Sequence, residues 1–388
     1  MALPEYFEFH DRTKMVFGPG TLAQVGEEAK KLGGGNAVIV TDKVIRDLGF
    51  CAKAVASLDR EGVSTVLIRD DVPQDSDASL IGEIAADAAE KGADMCIGIG
   101  GGSCLDTMKM VNLLLSEGGD LLADHQGAYV QERPLRPMIA IPTTAGTGSE
   151  VTFAAVIKDR AENMKVSFVS HYFAPDCAVL DPELTLTMPL SITAYTGMDA
   201  LTHAVESLHS TESTPVTDVL AEGAIRMIAE NLPAVMKDGE NLEARGQMLL
   251  ASSIAGLAFA NALVGIVHGI AHSIGGVAGV PHGLANSIML PWGLEYNIDE
   301  CPEKYAIMAR ALGAKPGGGA KAEAERGIEL IRELIGGLGI PQGLSEAGVR
   351  EDQLEAIADL TMGDGTIFTN PRPVEDPEEV LELLKKAF

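Results

Sequence analysis

Met95-Cys-Ile-Gly-Ile-Gly-Gly-Gly-Ser103 joins an apolar run to a glycine turn and leads into the helical pattern of residues 105–116. Met95–Gly100 reads as a strand. Gly100, Gly101 and Gly102 let a backbone come close to a pyrophosphate, and the Ser103 hydroxyl can donate to it. The run is not G-x-G-x-x-G, because Ser103 stands at the last glycine position. Alone it is weak evidence, since a tight strand-to-helix turn also occurs without a ligand.

Outward from this stretch the same rhythm repeats. Residues 36–42, 64–70 and 177–181, with Met138–Pro142, are short apolar runs, and residues 21–32 and 78–91 have helical spacing. Near-continuous β-branched runs alternating with helices predict a parallel sheet covered on both faces. Residues 6–16 read as a strand of another kind, at an edge or exchanged. Pro182 and Pro189 bracket a boundary,. From Ser191 onward Ala, Leu and Ile recur at helical spacing and strand signals nearly vanish. The expected fold is α/β: a Rossmann-like dinucleotide-binding domain over residues 1–185, then an all-α metal-binding and substrate domain over residues 186–388.

With 388 residues, 46% hydrophobic and 22% charged, the chain can bury more than one core,. A formal charge of −27 argues against nucleic acid or an anionic membrane as partner,. It does not exclude NAD, whose phosphates a glycine-rich backbone and a helix N-terminus can hold. The cysteines (Cys51, Cys96, Cys104, Cys177, Cys301) form no CxxC pair, which fits reduced thiols in a cytoplasm,. The N-terminus has no basic region followed by an apolar one, so no signal peptide is expected. Residues 249–267 come nearest to a membrane span, but Ser252, Ser253 and Asn261 favour a buried core helix,.

Pro142-Thr-Thr-Ala-Gly-Thr-Gly-Ser-Glu-Val-Thr152 is a second small-residue loop after a strand. Its hydroxyls suit ribose, phosphate or a nicotinamide amide, and strand carboxyl ends are where doubly wound sheets bind ligands,. Asp42 closes the run of residues 36–42. It can accept from ribose hydroxyls and would repel a 2′-phosphate, though an aspartate there also serves as a helix cap.

Further on, Asp199 and His203 stand at i, i+4 on an apolar helix face, as do His268 and His272, and His282 follows Gly-Val-Pro. A carboxylate and imidazoles on an apolar face need partners or a divalent metal. Five candidates compete for one site. A catalytic metal must leave an open position, so one histidine can be a proton relay instead. Spacing does not choose between His268 and His272. His10, His125, His171 and His209 read as ordinary core or surface histidines.

These residues resemble the iron-containing (group III) alcohol dehydrogenases over essentially the whole chain. The resemblance rests on Gly100-Gly-Gly-Ser-Cys-Leu-Asp106-Thr-Met-Lys109, Pro142–Glu150, Gly197-Met-Asp-Ala-Leu-Thr-His203-Ala-Val-Glu206, His268-Gly-Ile-Ala-His272, Pro281-His282-Gly and Thr369-Asn-Pro-Arg372. It implies metal ligation by Asp199, His203, His268 and His282, with His272 as the proton-transfer residue. It implies NAD contacts from Asp42, Gly100, Gly101, Gly102, Ser103, Asp106, Thr143, Thr144, Thr147, Thr152 and Lys165. The implied reaction passes hydride between a small primary alcohol and NAD(H), in a cleft between the domains, with the alcohol oxygen on a divalent metal. Iron is favoured, and zinc or another divalent ion is compatible.

The chain departs from the family at Val72-Pro-Gln74-Asp75, where Asn-Pro is common, which leaves an adenine-side contact to Gln74 or removes it. Cys104 has no assigned role and is expected to be a buried thiol. Ala154, Phe259, Leu263 and residues 363–368 are expected to face a small, uncharged substrate. A homodimer or larger assembly is expected, with residues 6–16 as a contact. A metal-dependent lyase resembling dehydroquinate synthase is the alternative, but it would need basic residues for an acidic, phosphorylated substrate. A catalytically silent, metal-stabilised binding protein would not require both hydroxyl-rich loops.

Overall fold

A computed structural model describes residues 5–74, 76–160 and 164–388. Asp75, which closes the Val72–Asp75 motif, lies outside the described residues. The chain folds as two compact units, one of His10–Thr144 with Gly148–Thr187 and one of Met188–Phe388 with Ala145–Thr147 and residues 5–9.

The strands of the first unit are β1 (Lys14–Phe17), β2 (Asn36–Val40), β3 (Ser64–Arg69), β4 (Met95–Gly100), β5 (Gly127–Ala128), β6 (Met138–Pro142), β7 (Ala154–Asp159), β8 (Met164–Val169) and β9 (Cys177–Leu180). Its helices are α1 (Val25–Lys31), α2 (Lys43–Asp47), α3 (Phe50–Glu61), α4 (Ala78–Glu90), α5 (Gly102–Glu117) and α6 (Leu121–His125).

Among the described residues a six-stranded sheet runs β1-β9-β6-β4-β2-β3 with every pairing parallel. Each inner strand is buried on both faces, which is why it reads as an unbroken apolar run. Val38, Val40, Cys96 and Met138 face a core with Ile81, Ile84, Leu105 and Met108 of α4 and α5. Ala37, Ile39, Ile97 and Ile139 face another with Val25, Ala54 and Leu58 of α1 and α3. The helices after β2 and after β4 therefore lie on opposite faces. Those neighbouring strands form a topological switch point, with Asp42 and Gly100 at its carboxyl edge,.

Two expectations are corrected. Residues 6–13 form no strand; only Lys14–Phe17 does, as an edge strand parallel to β9. The ladder begins where Thr13 Oγ1 donates to the Pro175 carbonyl and the Lys14 amide to that of Asp176. A second sheet, β5-β8-β7, was also not foreseen. Its antiparallel strands β7 and β8 carry Lys158 and Lys165 side by side, and these charges interrupt the apolar pattern.

The second unit is helical: α7 (Leu190–His209), α8 (Pro215–Lys237), α9 (Leu242–Ala262), α10 (Ile266–Ala278), α11 (His282–Asn297), α12 (Pro302–Ala311), α13 (Ala320–Gly337), α14 (Leu354–Thr361) and α15 (Pro377–Ala387). Starts are marked by local chemistry, as where Thr214 and Thr217 form a capping box before α8 with Pro215 in its first turn,. Among the described residues no single helix is long and apolar enough to cross a membrane; α9 and α10 pass that test only jointly, and they are bent by 103°. The break falls at Leu263, whose φ of 64° is rare for a residue with a side chain,.

The approach of α11 to α7 depends on one glycine. A Cβ at Gly283 would lie 2.3 Å from the Tyr195 carbonyl oxygen and 3.3 Å from the Asp199 Cβ. Gly283→Ala must therefore push the two helices apart. Urea unfolding should show a loss of about 1–3 kcal/mol. Gly276→Ala, whose Cβ would meet only Leu360 Cδ2 at 3.6 Å, should cost much less.

Candidate active site

In the sheet unit the glycine turn is closed to any side chain. Gly100 has φ of 152°, and a Cβ there would lie 2.6 Å from the Cys104 sulfur. α5 starts directly after it, and its N-cap, Gly101, offers no side chain to the first amides. Asp42, by contrast, caps α2: its Oδ1 accepts from the Ile45 amide at 2.9 Å. Its Oδ2 faces the turn, 3.5 Å from the Cys104 thiol and 3.8 Å from a Cβ placed at Gly100. The cap and ribose readings of Asp42 thus use different oxygens. Cys104 is buried, and burial and the nearby Asp42 push its thiol well above the ordinary range.

The Thr-rich loop starts where the Thr143 amide donates to the Gly100 carbonyl at 3.0 Å, and Thr144 lies beside Gly101. Ala145–Thr147 belongs to the helical unit, whereas Thr143, Thr144 and Thr152 belong to the sheet unit. Asp106 Oδ1 accepts from Ser149 at 2.6 Å and Oδ2 from the Val156 amide at 2.9 Å, so this carboxylate holds the loop and β7 to α5. Lys109, fully buried, works alongside it: Nζ donates to the Ala154 carbonyl at 2.8 Å and to Thr152 Oγ1 at 3.1 Å. Burial lowers its pKa to about 8, against the opposing pull of Asp106 and Glu150. Lys165 lies on β8, opposite Lys158 of the strand these two residues fasten.

In the helical unit Asp199, His268 and His282 each present one ligand atom, and the three lie within 4.8 Å of one another. The Nδ2 of Asn286 sits against all three, 2.7 Å from Asp199 Oδ1, 3.1 Å from His282 Nε2 and 3.2 Å from His268 Nε2. One amide group has two hydrogens for these three acceptors. Among the described residues no lysine or arginine pairs with Asp199. His203 does not join the convergent set. Its ring is stacked on Phe259 at 4.1 Å and on His268 at 4.6 Å, and its buried Nδ1 has no hydrogen-bond partner, the kind of atom a bound cation satisfies,. Burial pulls the pKa of both His203 and His268 down, so both rings are neutral with a lone pair available. A buried carboxylate with neutral imidazoles fits a divalent transition metal.

His272 lies beside this group, its ring stacked on that of His282 at 5.1 Å. Its Nδ1 donates to Asp364 Oδ2 at 2.7 Å. Burial works to raise the Asp364 pKa, but the bond to His272 and those from Thr366 outweigh it and hold the carboxyl well below its ordinary range. The aspartate is thus a fixed anchor, and the quarter-exposed ring of His272 turns its other nitrogen away from it.

Sequence reasoning passed over four residues that shape these sites: Lys109, Glu206, Asn286 and Asp364. Lys109 and Glu206 stand within the motifs quoted above, Asn286 lies three residues beyond Pro281-His282-Gly, and Asp364 falls within residues 363–368. Their residue types gave the available signal: a lysine and a glutamate at buried helical positions, and Asn286 one turn after His282.

The chain matches the family model for iron-containing alcohol dehydrogenase over residues 12–182 and that for the C-terminal part of the Fe-containing alcohol dehydrogenase family over residues 193–388. It is 39% identical to the 1,3-propanediol dehydrogenase of Citrobacter freundii over 375 residues, covering 96% of each chain. It is 36% identical to the NAD-dependent methanol dehydrogenase of Bacillus methanolicus over 374 residues, covering 96% of this chain and 97% of that one. The alcohol dehydrogenase from Oenococcus oeni superposes with a TM-score of 0.95 at 35% identity, covering 99% of this chain and all of the other.

The buried ammonium of Lys109 makes a pH-dependent prediction. Between its pKa of about 8 in the fold and the ordinary 10.5, the folded chain has released a proton that the unfolded chain still holds, so stability rises with pH across that window,. Unfolding measured at pH 7.5 and at pH 10.5 should show the wild type gaining about 3 kcal/mol relative to Lys109→Met. A constant difference would mean that the ammonium is not desolvated.

Proposed function

Because the chain belongs to the iron-containing alcohol dehydrogenase family, we propose that it passes hydride between short primary alcohols or aldehydes and NAD(H) at a divalent metal. The observation that carries this reading is the convergence of Asp199, His268 and His282 on one buried point. Asp199, His203, His268 and His282 would hold the metal, with His203 assigned as a ligand for its unpaired buried nitrogen. When bound, such a metal acts as a Lewis acid on the substrate oxygen while the nicotinamide exchanges hydride with the adjacent carbon.

The chain's own residues bind, orient and move the proton. His272, with Nδ1 committed to Asp364, has Nε2 left to take the proton from the alcohol or return it to the aldehyde,. Gly100, Gly101, Gly102 and Ser103 would receive the pyrophosphate at the start of α5, and Asp42 Oδ2 the adenine ribose. Thr143, Thr144, Thr147 and Thr152 supply hydroxyls for the nicotinamide end, Asp106 fixes their loop, and Lys165 is assigned to a ribose hydroxyl. Iron is the metal that the family's name favours; zinc suits the same donors.

The relatives named for methanol and 1,3-propanediol support a short primary alcohol as substrate. Ala154, Phe259 and Leu263 add no fixed charge that would select an acidic one. Five free, buried cysteines are consistent with a reducing cytoplasm,. Exposed Met15 and Phe17 on β1 are where we place the self-association contact. The lyase alternative is not favoured, since these relatives are named as dehydrogenases.

The test is NADH formation at 340 nm by protein loaded anaerobically with Fe(II) or Zn(II), assayed with NAD and a series of short primary alcohols. Turnover that depends on metal and is abolished by chelation is expected. Failure of every metal and every short alcohol would overturn the reading. His272→Ala should reduce turnover by about 10²–10⁴-fold and remove a limb of the pH–rate profile, with little change in the KM for NAD. An unaltered profile would remove His272 from proton transfer.

A further inference from the structure

Glu206 lies one turn beyond His203 on α7 and is fully buried, yet nothing in the proposed chemistry uses it. Oε1 accepts from the Val267 amide at 2.8 Å. Oε2 accepts from the His268 amide at 3.2 Å and stands 2.5 Å from His268 Nδ1. Behind it His209 Nε2 is 4.0 Å from Oε1, and His209 Nδ1 bonds the Tyr305 hydroxyl at 2.7 Å, so buried side chains back the carboxylate on that side.

Both oxygens of Glu206 cap the start of α10, and Oε2 also meets an imidazole, which capping does not require. A carboxylate accepts only, so Nδ1 of His268 carries the hydrogen and Nε2 turns its lone pair to the point where Asp199 and His282 converge,. One turn further along the same helix His272 is held in the same way, but by the partly exposed Asp364. His203 has no partner on its Nδ1. His268 is thus anchored through Nδ1 to a fully buried carboxylate.

We propose that Glu206 is a positioning residue for the divalent metal: it locks the tautomer of His268, fixes the ring's direction and strengthens Nε2 as a donor. Carboxylates behind metal-binding histidines act in this manner, and their loss weakens metal affinity without removing a ligand. The inference rests on the metal reading given above.

The experiment uses Co(II) as probe, titrated into metal-free full-length protein against a chromophoric chelator. Glu206→Gln keeps the shape and a carbonyl oxygen for the α10 amides but removes the charge. Co(II) should bind this variant about 10–100-fold more weakly, with altered visible absorption bands, while circular dichroism and melting of the metal-free forms stay alike. Equal affinity and identical bands would overturn the proposal and leave Glu206 as a helix cap only. If the wild type itself takes up no Co(II), the metal reading fails, and this inference with it.

A second measurement does not need the variant to fold. ¹⁵N spectra of histidine-labelled, metal-free wild type, with His268 assigned by its loss in His268→Gln, should show Nδ1 protonated. Protonation at Nε2 alone would overturn the proposal.

Discussion

The carboxylate of Glu206, carried on α7, ties that helix to the start of α10 through the Val267 and His268 amides and the His268 ring. An isolated carboxylate costs several kcal/mol to take out of water. Burial accordingly raises the pKa of Glu206, and the backbone N–H groups of Gly265, Val267 and His268 work in the other direction. A helix N-terminus is the environment where such a charge is best tolerated, because unpaired amides and the helix dipole both favour it. The arrangement needs Gly265, since a Cβ there would lie 2.8 Å from Asn370 Oδ1, 3.0 Å from Glu206 Oε1 and 3.2 Å from His209 Nε2. It also needs the sharp break after α9, which the unusual backbone of Leu263 provides. Asn370 completes it by accepting from the Ile266 amide while exchanging two hydrogen bonds with Asn297 at the end of α11. Helices α7, α10 and α11 and the Thr369–Arg372 segment are thereby fixed at one point, and the histidines inherit their positions from it.

The sheet unit solves a similar problem by omission. Asp42 caps α2 and Asp77 caps α4, each with its own carboxylate, whereas α5 begins at Gly101 with no side-chain cap. An acid at that position would compete with any anion for the same amides. The same helix, one and two turns in, carries Asp106 and Lys109, which fasten the Thr-rich loop and β7. The glycine turn and the hydroxyl loop are thus aligned by one helix, although about 40 positions separate them in the chain.

The parallel sheet was legible because burial on both faces imposes the same apolar composition on every inner strand. Met95–Gly100 and Met138–Pro142 have the bounds that their sequence suggests. β7 and β8 escaped notice because one face meets solvent and lysines interrupt the pattern. For the candidate site, residue types singled out five groups, Asp199, His203, His268, His272 and His282, since acids and imidazoles on apolar faces stand out, and three of them, Asp199, His268 and His282, converge in the structure. Spacing could not separate His268 from His272, because an i, i+4 relation gives both the same helix face. Their partners separate them, Glu206 at 62 residues' remove and Asp364 at 92, and no periodicity reports such pairings.

The acidic balance of the chain also takes on a more limited meaning. A formal charge of −27 does not by itself oppose an anionic dinucleotide, because exposed charges are screened beyond roughly 8–10 Å at physiological salt,. The backbone at Gly100–Ser103 and the uncapped start of α5 form a local positive end in a negative protein, where the proposed function would place the phosphates,. One oxygen of Asp42 accepts from the Ile45 amide as the α2 cap, and the other faces the turn beside the Cys104 thiol. In the proposed function that second oxygen would accept from a ribose hydroxyl and would repel a 2′-phosphate. Net charge is thus a property of the whole surface, whereas the proposed dinucleotide preference would rest on the geometry of a few amides and one carboxylate.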